Sequence, residues 1–220
     1  MFDRVAARYD LLNALNSLGN DRRWRRAAAE AADPAGKRVL DLAAGTGHLA
    51  VALLGAGASH VVAVDFSSEM LAAARTKLYP RFDGRVSLAQ GDALTLPFGN
   101  GVFDRVTSGF LLRNLADLRQ GLSEMLRVLK PSGRMVALDI TRPGVGVGGR
   151  LAGAYFQRVV PWVGGLISGE VAAYAYLAKS VQPFPPPDQL ADLMREVGFL
   201  DVQYCRMGLG LVALHSGRAP

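Results

Sequence analysis

The run Val39-Leu40-Asp41-Leu42-Ala43-Ala44-Gly45-Thr46-Gly47 constrains this chain more than any other stretch. An apolar segment over residues 37–42 reads as a buried strand, and two glycines one residue apart let the backbone turn sharply into the next element. Residues 48–54 have helical spacing, and residues 60–65 form a second apolar strand that ends on Asp65. That carboxylate falls about twenty residues beyond the turn, the spacing of a nucleoside-binding βαβ unit. A chain that begins this way is committed to parallel strands joined by helical crossovers.

The alternation continues. Residues 67–78 read as a helix opened by the cap pattern Ser67-Ser68-Glu69, 85–90 and 102–110 as strands, and 117–129 as a helix closed by Lys130-Pro131-Ser132-Gly133. Residues 134–141 give a further strand. The expected fold is α/β, with a mostly parallel sheet covered on both faces. At the front, residues 10–32 read as two short helices broken at Gly19-Asn20. Residues 143–176 interrupt the rhythm with a glycine-rich run and then an apolar stretch carrying Tyr155, Phe156, Pro161, Trp162, Tyr174 and Tyr176, which reads as a helical insertion over the sheet. A helix over 188–197 and strands over 201–206 and 209–215 follow, the last two as an antiparallel pair on the sheet edge. The 220 residues thus make one domain, with 1–32 as a helical cap and 143–183 as a helical lid.

Half of the residues are hydrophobic and 20% are charged, enough apolar material for a packed core. The lone cysteine, Cys205, excludes an intramolecular disulfide and a cysteine-based metal site, and His48, His60 and His215 are scattered without metal spacing, so no metal is expected. Met1 runs straight into Phe2-Asp3-Arg4, unlike a signal peptide, and apolar runs fall short of the roughly 20 residues that span a bilayer. A soluble protein in a reducing compartment is expected. The formal charge is +6, with only four lysines (Lys37, Lys77, Lys130 and Lys179), a balance that does not indicate nucleic acid.

The glycine turn and Asp65 point to an adenosine ligand. Ala50 completes a dinucleotide fingerprint from Gly45, so pattern alone leaves a nicotinamide cofactor open. Two features favour S-adenosylmethionine. Asp41, just before the loop, suits a cationic amino group and would oppose a pyrophosphate, and Asp92 at the end of the third strand can accept an adenine amine. Taken singly, an Asp at a strand end such as Asp92 is more often a turn residue.

Three stretches carry a more specific resemblance: residues 2–13 running on to Arg22-Arg23-Trp24-Arg25, residues 127–134, and the end Gly210-Leu211-Val212-Ala213-Leu214-His215-Ser216-Gly217. With Phe110-Leu111-Leu112-Arg113-Asn114 between them, they resemble the ubiquinone/menaquinone biosynthesis C-methyltransferases, above all those acting on demethylmenaquinone. The resemblance covers nearly the whole chain and implies a Rossmann-like class I methyltransferase fold. It implies S-adenosylmethionine held by Asp41, Gly45, Thr46, Gly47, Asp65, Phe66, Asp92, Ala93 and Gly109, and a polyprenylated quinol as the methyl acceptor. The family usually has His where Asp21 stands, Gly at the positions of Leu111 and Ser132, and Ser or Ala where Gly109 stands, so Asp21 and Leu111 bear on the acceptor pocket.

Carbon methylation needs an electron-rich ring, so one phenol must lose its proton before the ring carbon attacks. Arginine is a poor base, and the assignment the resemblance supports is Arg113 stabilising the phenolate and Asn114 orienting the hydroxyl. For the base itself, the candidates are a water held by Arg113, Asp21, or a tyrosine such as Tyr9 acting in relay. The alternative for Arg113 and Asn114 is a loop arginine on backbone carbonyls with Asn capping the next helix. The run Arg22 to Arg26 suits anionic headgroups with Trp24 at the interface, although a solvated helix face is the commoner explanation. Transient membrane contact at the inner face of a cytoplasmic membrane is the corresponding expectation, and a homodimer is left open. Competing functions are a methyltransferase for another aromatic or lipid acceptor, a nicotinamide-dependent oxidoreductase and a catalytically silent S-adenosylmethionine binder.

Overall fold

A computed structural model describes residues 17, 19–141 and 184–220. Tyr9, the first of the two expected N-terminal helices and the expected lid over 143–183 lie outside the described residues. In chain order the elements are α1 (Asp21–Ala32), β1 (Arg38–Leu42), α2 (His48–Gly55), β2 (His60–Asp65), α3 (Ser68–Phe82), β3 (Val86–Gln90), β4 (Phe103–Gly109), α4 (Leu118–Val128), β5 (Leu129–Ile140), α5 (Pro187–Val197), β6 (Leu200–Met207) and β7 (Val212–Arg218).

Among the described residues these strands form one sheet in the order β3-β2-β1-β4-β5-β7-β6. Strands β1 to β5 are parallel, while β7 pairs antiparallel with both β5 and β6. The expected antiparallel pair is therefore present, with the last strand on its inner side. Successive connections leave β1 in opposite directions, toward β2 on one side and toward β4 on the other. The crevice at the carboxyl ends of β1 and β4 is where ligands bind in open parallel sheets.

Strand periodicity divides the core. Leu40, Leu42, Val62, Val64 and Phe103 pack with Met125 of α4 and Met194 of α5 on one face, and Val39, Val61, Ala63 and Leu138 pack with Ala28, Leu49 and Leu78 of α1, α2 and α3 on the other. Because both faces are covered, the central strands read as continuous apolar runs. Helix starts follow local chemistry. The Ser67 hydroxyl accepts the Met70 N–H at 3.2 Å ahead of α3, and the Asp117 carboxylate accepts the Gln120 N–H at 2.9 Å ahead of α4.

Three boundaries differ from the sequence reading. Helix α3 runs on to Phe82 through Pro80, whose ring fixes a helix-compatible φ at the cost of one ladder bond. Strand β5 starts at Leu129 because the Lys130–Gly133 turn is absorbed as a bulge, with Ser132 at φ 60° and the β4 register shifting between Phe103 and Arg105. The final strand starts at Val212, not residue 209, since Gly208–Gly210 forms a 3-10 turn with positive φ at all three residues.

That turn is pinned by Trp24, whose Cζ2 lies 2.6 Å from where a Gly208 Cβ would stand. Gly208 also has φ +58°. Gly208→Ala is expected to destabilise the protein by roughly 1–3 kcal/mol, combining backbone strain with displacement of Trp24. A denaturation midpoint equal to that of the parent protein would contradict it.

Candidate active site

At the carboxyl end of β1 the chain leaves the sheet through Ala43 at φ 53° and Gly45 at φ 54°, and enters α2 from Gly47 at φ 83°. Gly47 is required twice over, because a Cβ there would also stand 2.9 Å from Leu78 Cδ1. Asp65, at the end of β2, fixes the loop. Its Oδ2 accepts the Gly45 N–H at 2.7 Å and its Oδ1 accepts the Ser67 N–H at 2.9 Å. Each carboxylate oxygen can accept a second bond, so the pair of acceptors is held in place for hydroxyl donors. The next side chain, Phe66, is 74% exposed and offers a flat apolar face beside them. Thr46 is buried at the start of α2, and its hydroxyl accepts a bond from Lys77 Nζ at 3.2 Å. Asp92 follows β3 and is exposed, with Oδ1 accepting the Leu94 N–H at 2.9 Å. It is thus a turn-forming residue whose carboxylate still faces solvent, and Ala93 beside it is half-buried.

Asp41 has no solvent contact at all. One oxygen accepts the Thr107 hydroxyl of β4 at 3.1 Å, and Oδ2 meets no partner. Burial pushes its carboxyl up to about 7, with the Thr107 bond and the charge of Arg25 working against that rise. Arg25, from α1, is itself buried, its Nε donating to both oxygens of Asp21 at 2.9 and 3.0 Å. Its guanidinium carbon lies 5.2 Å from the Phe110 ring centroid, and its Nη1 is 3.3 Å from where a Gly109 Cβ would stand. Gly109 therefore leaves the room that Arg25 fills. Burial works to raise the Asp21 carboxyl, but Arg25 and His48, whose Nδ1 is 3.8 Å from Oδ2, outweigh it and hold the group below its ordinary range. A carboxylate so stabilised is a weaker base than an ordinary aspartate.

The run Arg22 to Arg26 divides in the same helix. Arg22, Arg23 and Arg26 are exposed, while Arg25 turns inward and Trp24 is half-buried against Gly208. Part of the Trp24 ring fills the space beside Gly208.

Arg113 and Asn114 sit on a 3-10 turn after β4, behind Phe110 at φ 65°. The Phe110 carbonyl accepts from Arg113 Nη1 at 2.9 Å and from Asn114 Nδ2 at 3.0 Å. Arg113 Nη1 also donates to Asp139 Oδ1 at 2.5 Å, in a pair with side chains only 8% and 3% exposed. The backbone-bonding alternative raised from the sequence thus holds for one nitrogen, and the Nε of Arg113 is buried without a partner. Sequence reading missed Asp139, Arg25 and Thr107. Asp139 had a usable signal, an acidic residue at the carboxyl end of an apolar strand, like Asp41 and Asp65.

A model of the ubiE/COQ5 methyltransferase family matches residues 1–219. The chain belongs to this family. It is 48% identical, over the full length of both chains, to a demethylmenaquinone methyltransferase of Thermus thermophilus. It is 45% identical to one of Clavibacter sepedonicus, covering all of this chain and 89% of that protein. A ubiquinone/menaquinone biosynthesis C-methyltransferase of Desulfotalea psychrophila is 42% identical, over 99% of this chain and 88% of its own length. The fold matches a solved S-adenosylmethionine-dependent methyltransferase of Thermotoga maritima at a TM-score of 0.72 and 20% identity, covering 100% of this chain and 98% of that one. Family membership makes the protein a methyltransferase and overturns the nicotinamide oxidoreductase reading.

The site suits the family's methyl donor. A buried, unpaired carboxylate oxygen at Asp41 is costly unless a cation meets it, and S-adenosylmethionine carries an ammonium group. Among the described residues, no group of three or more His, Cys, Asp or Glu is arranged to hold a metal, and no helix is long and apolar enough to cross a membrane.

The raised Asp41 carboxyl fixes a sign. The folded state keeps a proton on Asp41 that the unfolded chain has lost above its ordinary value of 3.8, so this group's contribution to stability falls as pH rises from about 4 to about 7. Asp41→Asn should flatten the dependence of the melting temperature on pH across that window in the cofactor-free protein. An unchanged slope would contradict the assignment.

Proposed function

We propose that this protein transfers a methyl group to a ring carbon of a demethylmenaquinol, the reduced form of the quinone in its relatives' names. What carries the reading is end-to-end identity of 48% with a relative so named. The donor is S-adenosylmethionine, whose sulfonium supplies an electrophilic methyl when bound.

The residues divide the work. Asp65, already held by two backbone donors, accepts from the ribose hydroxyls, and Phe66 lies against the adenine while Asp92 and Ala93 meet its edge. Thr46 and the positive-φ glycines Gly45 and Gly47 face the methionine carboxylate at the α2 N-terminus, where backbone N–H groups favour an anion. Asp41 pairs with the ammonium. Gly109 acts through the space it gives Arg25.

At the acceptor, Arg113 stabilises the phenolate as the first hydroxyl gives up its proton, which raises electron density at the ring carbon. Asn114, tethered through Nδ2 to Phe110, orients that hydroxyl. A water beside Arg113, Asp21 with its basicity lowered by Arg25 and His48, or Tyr9 acting in relay takes that proton, and after methyl transfer the ring carbon gives up its own proton to restore the aromatic ring. A polyprenyl quinol resides in a bilayer, and the exposed Arg22, Arg23 and Arg26 on α1 give the protein a cationic strip for transient contact with anionic headgroups at the inner membrane face.

Anaerobic incubation with S-adenosylmethionine and chemically reduced short-chain demethylmenaquinol, read by mass spectrometry, should give a product heavier by one methylene with the new methyl on ring carbon. Tight S-adenosylhomocysteine binding without such a product would move the acceptor elsewhere. Replacing Asp65 by Ala should weaken S-adenosylhomocysteine binding by roughly tenfold or more, as two hydroxyls lose their acceptor. Equal calorimetric affinity in the variant would remove Asp65 from the site.

A further inference from the structure

Asp139 stands at the end of β5, on the α4–α5 side of the sheet with Met135 and Ala137. It grips Arg113 at both ends. Oδ1 accepts from the guanidinium Nη1 at 2.5 Å, and Oδ2 accepts the Arg113 backbone N–H at 3.2 Å. Oδ1 also accepts the Ile140 N–H at 2.8 Å, which fixes the carboxylate plane. Both hydrogens of Nη1 are committed, one to Asp139 and one to the Phe110 carbonyl.

An arginine–carboxylate pair often uses two nitrogens in a parallel fork. Here the side-chain contact is made by a single nitrogen, and Nε is left buried with no acceptor. Leaving a buried N–H unpaired is unfavourable, and an arriving oxygen relieves it. The Phe110 ring, with its centroid 5.6 Å from the guanidinium carbon, limits how the group can rotate.

We propose that Asp139 is the positioning residue of the acceptor site, fixing the Arg113 guanidinium so that Nε is the donor presented to the acceptor's phenol oxygen. The inference rests on the quinol reading above for the identity of that oxygen. Asp139 touches neither donor nor acceptor; it sets which nitrogen of Arg113 does. Among the described residues, His215 on β7 also senses Asp139, and it is buried and bonded through Nε2 to the Pro187 carbonyl at 2.9 Å.

The test has two arms. In the first, protein labelled with 15N-arginine is loaded with S-adenosylhomocysteine and titrated with 1-naphthol, a single-hydroxyl aromatic probe, with Arg113→Lys used to assign the Arg113 Nε–H signal. The signal should be protected from hydrogen exchange and shift on titration in the parent protein, and Asp139→Asn should lose the shift and exchange tenfold faster or more, as a broken anchor implies. In the second, Asp139→Asn should lower kcat on reduced demethylmenaquinol by roughly tenfold or more and move the rising limb of kcat to higher pH. S-adenosylhomocysteine affinity should stay within about twofold, and adding Asp139→Asn to Arg113→Lys should cost little further. If Asp139→Asn fails to fold, Asp139→Glu keeps the charge and displaces the guanidinium, with the same expected readings.

A Nε–H signal equally protected and shifted in the variant would overturn the proposal, as would losses from the two substitutions that simply multiply. Absence of turnover in the parent protein, together with a naphthol-induced shift lost in Asp139→Asn, would sink the quinol acceptor and keep the Asp139 assignment.

Discussion

A carboxylate with no access to water stands at the end of the central strand, and the site is arranged around it. Burial favours a neutral Asp41, and the groups that resist this come from three different elements: the Thr107 hydroxyl on β4, the Arg25 charge on α1 and the Ala50 backbone N–H on α2. Arg25 is tolerable in the interior because Asp21 neutralises it, and it fits because Gly109 lacks a side chain. Removing any one member leaves another charge or polar atom buried without compensation. A cationic ligand completes the set.

The β4–β5 edge is built by the same logic from different residues. Phe110 is held at positive φ, an unfavourable conformation for an aromatic residue, by bonds from Arg113 and Asn114 to its carbonyl. Its ring then stands over both the Arg25 and Arg113 guanidinium groups. One strained residue thus lies between the Asp41 cluster and the Arg113–Asp139 pair, so the donor and acceptor sides share a wall.

Much of this was legible in the sequence where the signal was local. Continuous apolar runs marked β1 and β2, helical spacing after the glycine turn marked α2, and Asp41 and Asp65 stand out as acidic residues closing apolar strands. Signals that depend on distant partners were not legible. Arg25 belongs to a run of surface arginines and turns inward only because Asp21 lies one helical turn before it and Gly109 opens space from β4. Asp139 is separated from Arg113 by 26 residues, and only the parallel pairing of β4 with β5 brings them together. The final strand shifted because Leu209, an apolar residue of ordinary strand type, adopts φ 57° in a turn set by Gly208, Gly210 and Trp24.

The central claim is that the unpaired carboxylate of Asp41 is completed by the donor's ammonium group. Calorimetric titration with S-adenosylhomocysteine at pH 6, in two buffers of different ionisation enthalpy, tests it directly. Free Asp41 titrates near 7, so most of it carries a proton at this pH, and an arriving ammonium should expel that proton. The account predicts a buffer-dependent heat corresponding to release of most of a proton, lost in Asp41→Asn. A heat independent of buffer in the parent protein would contradict it.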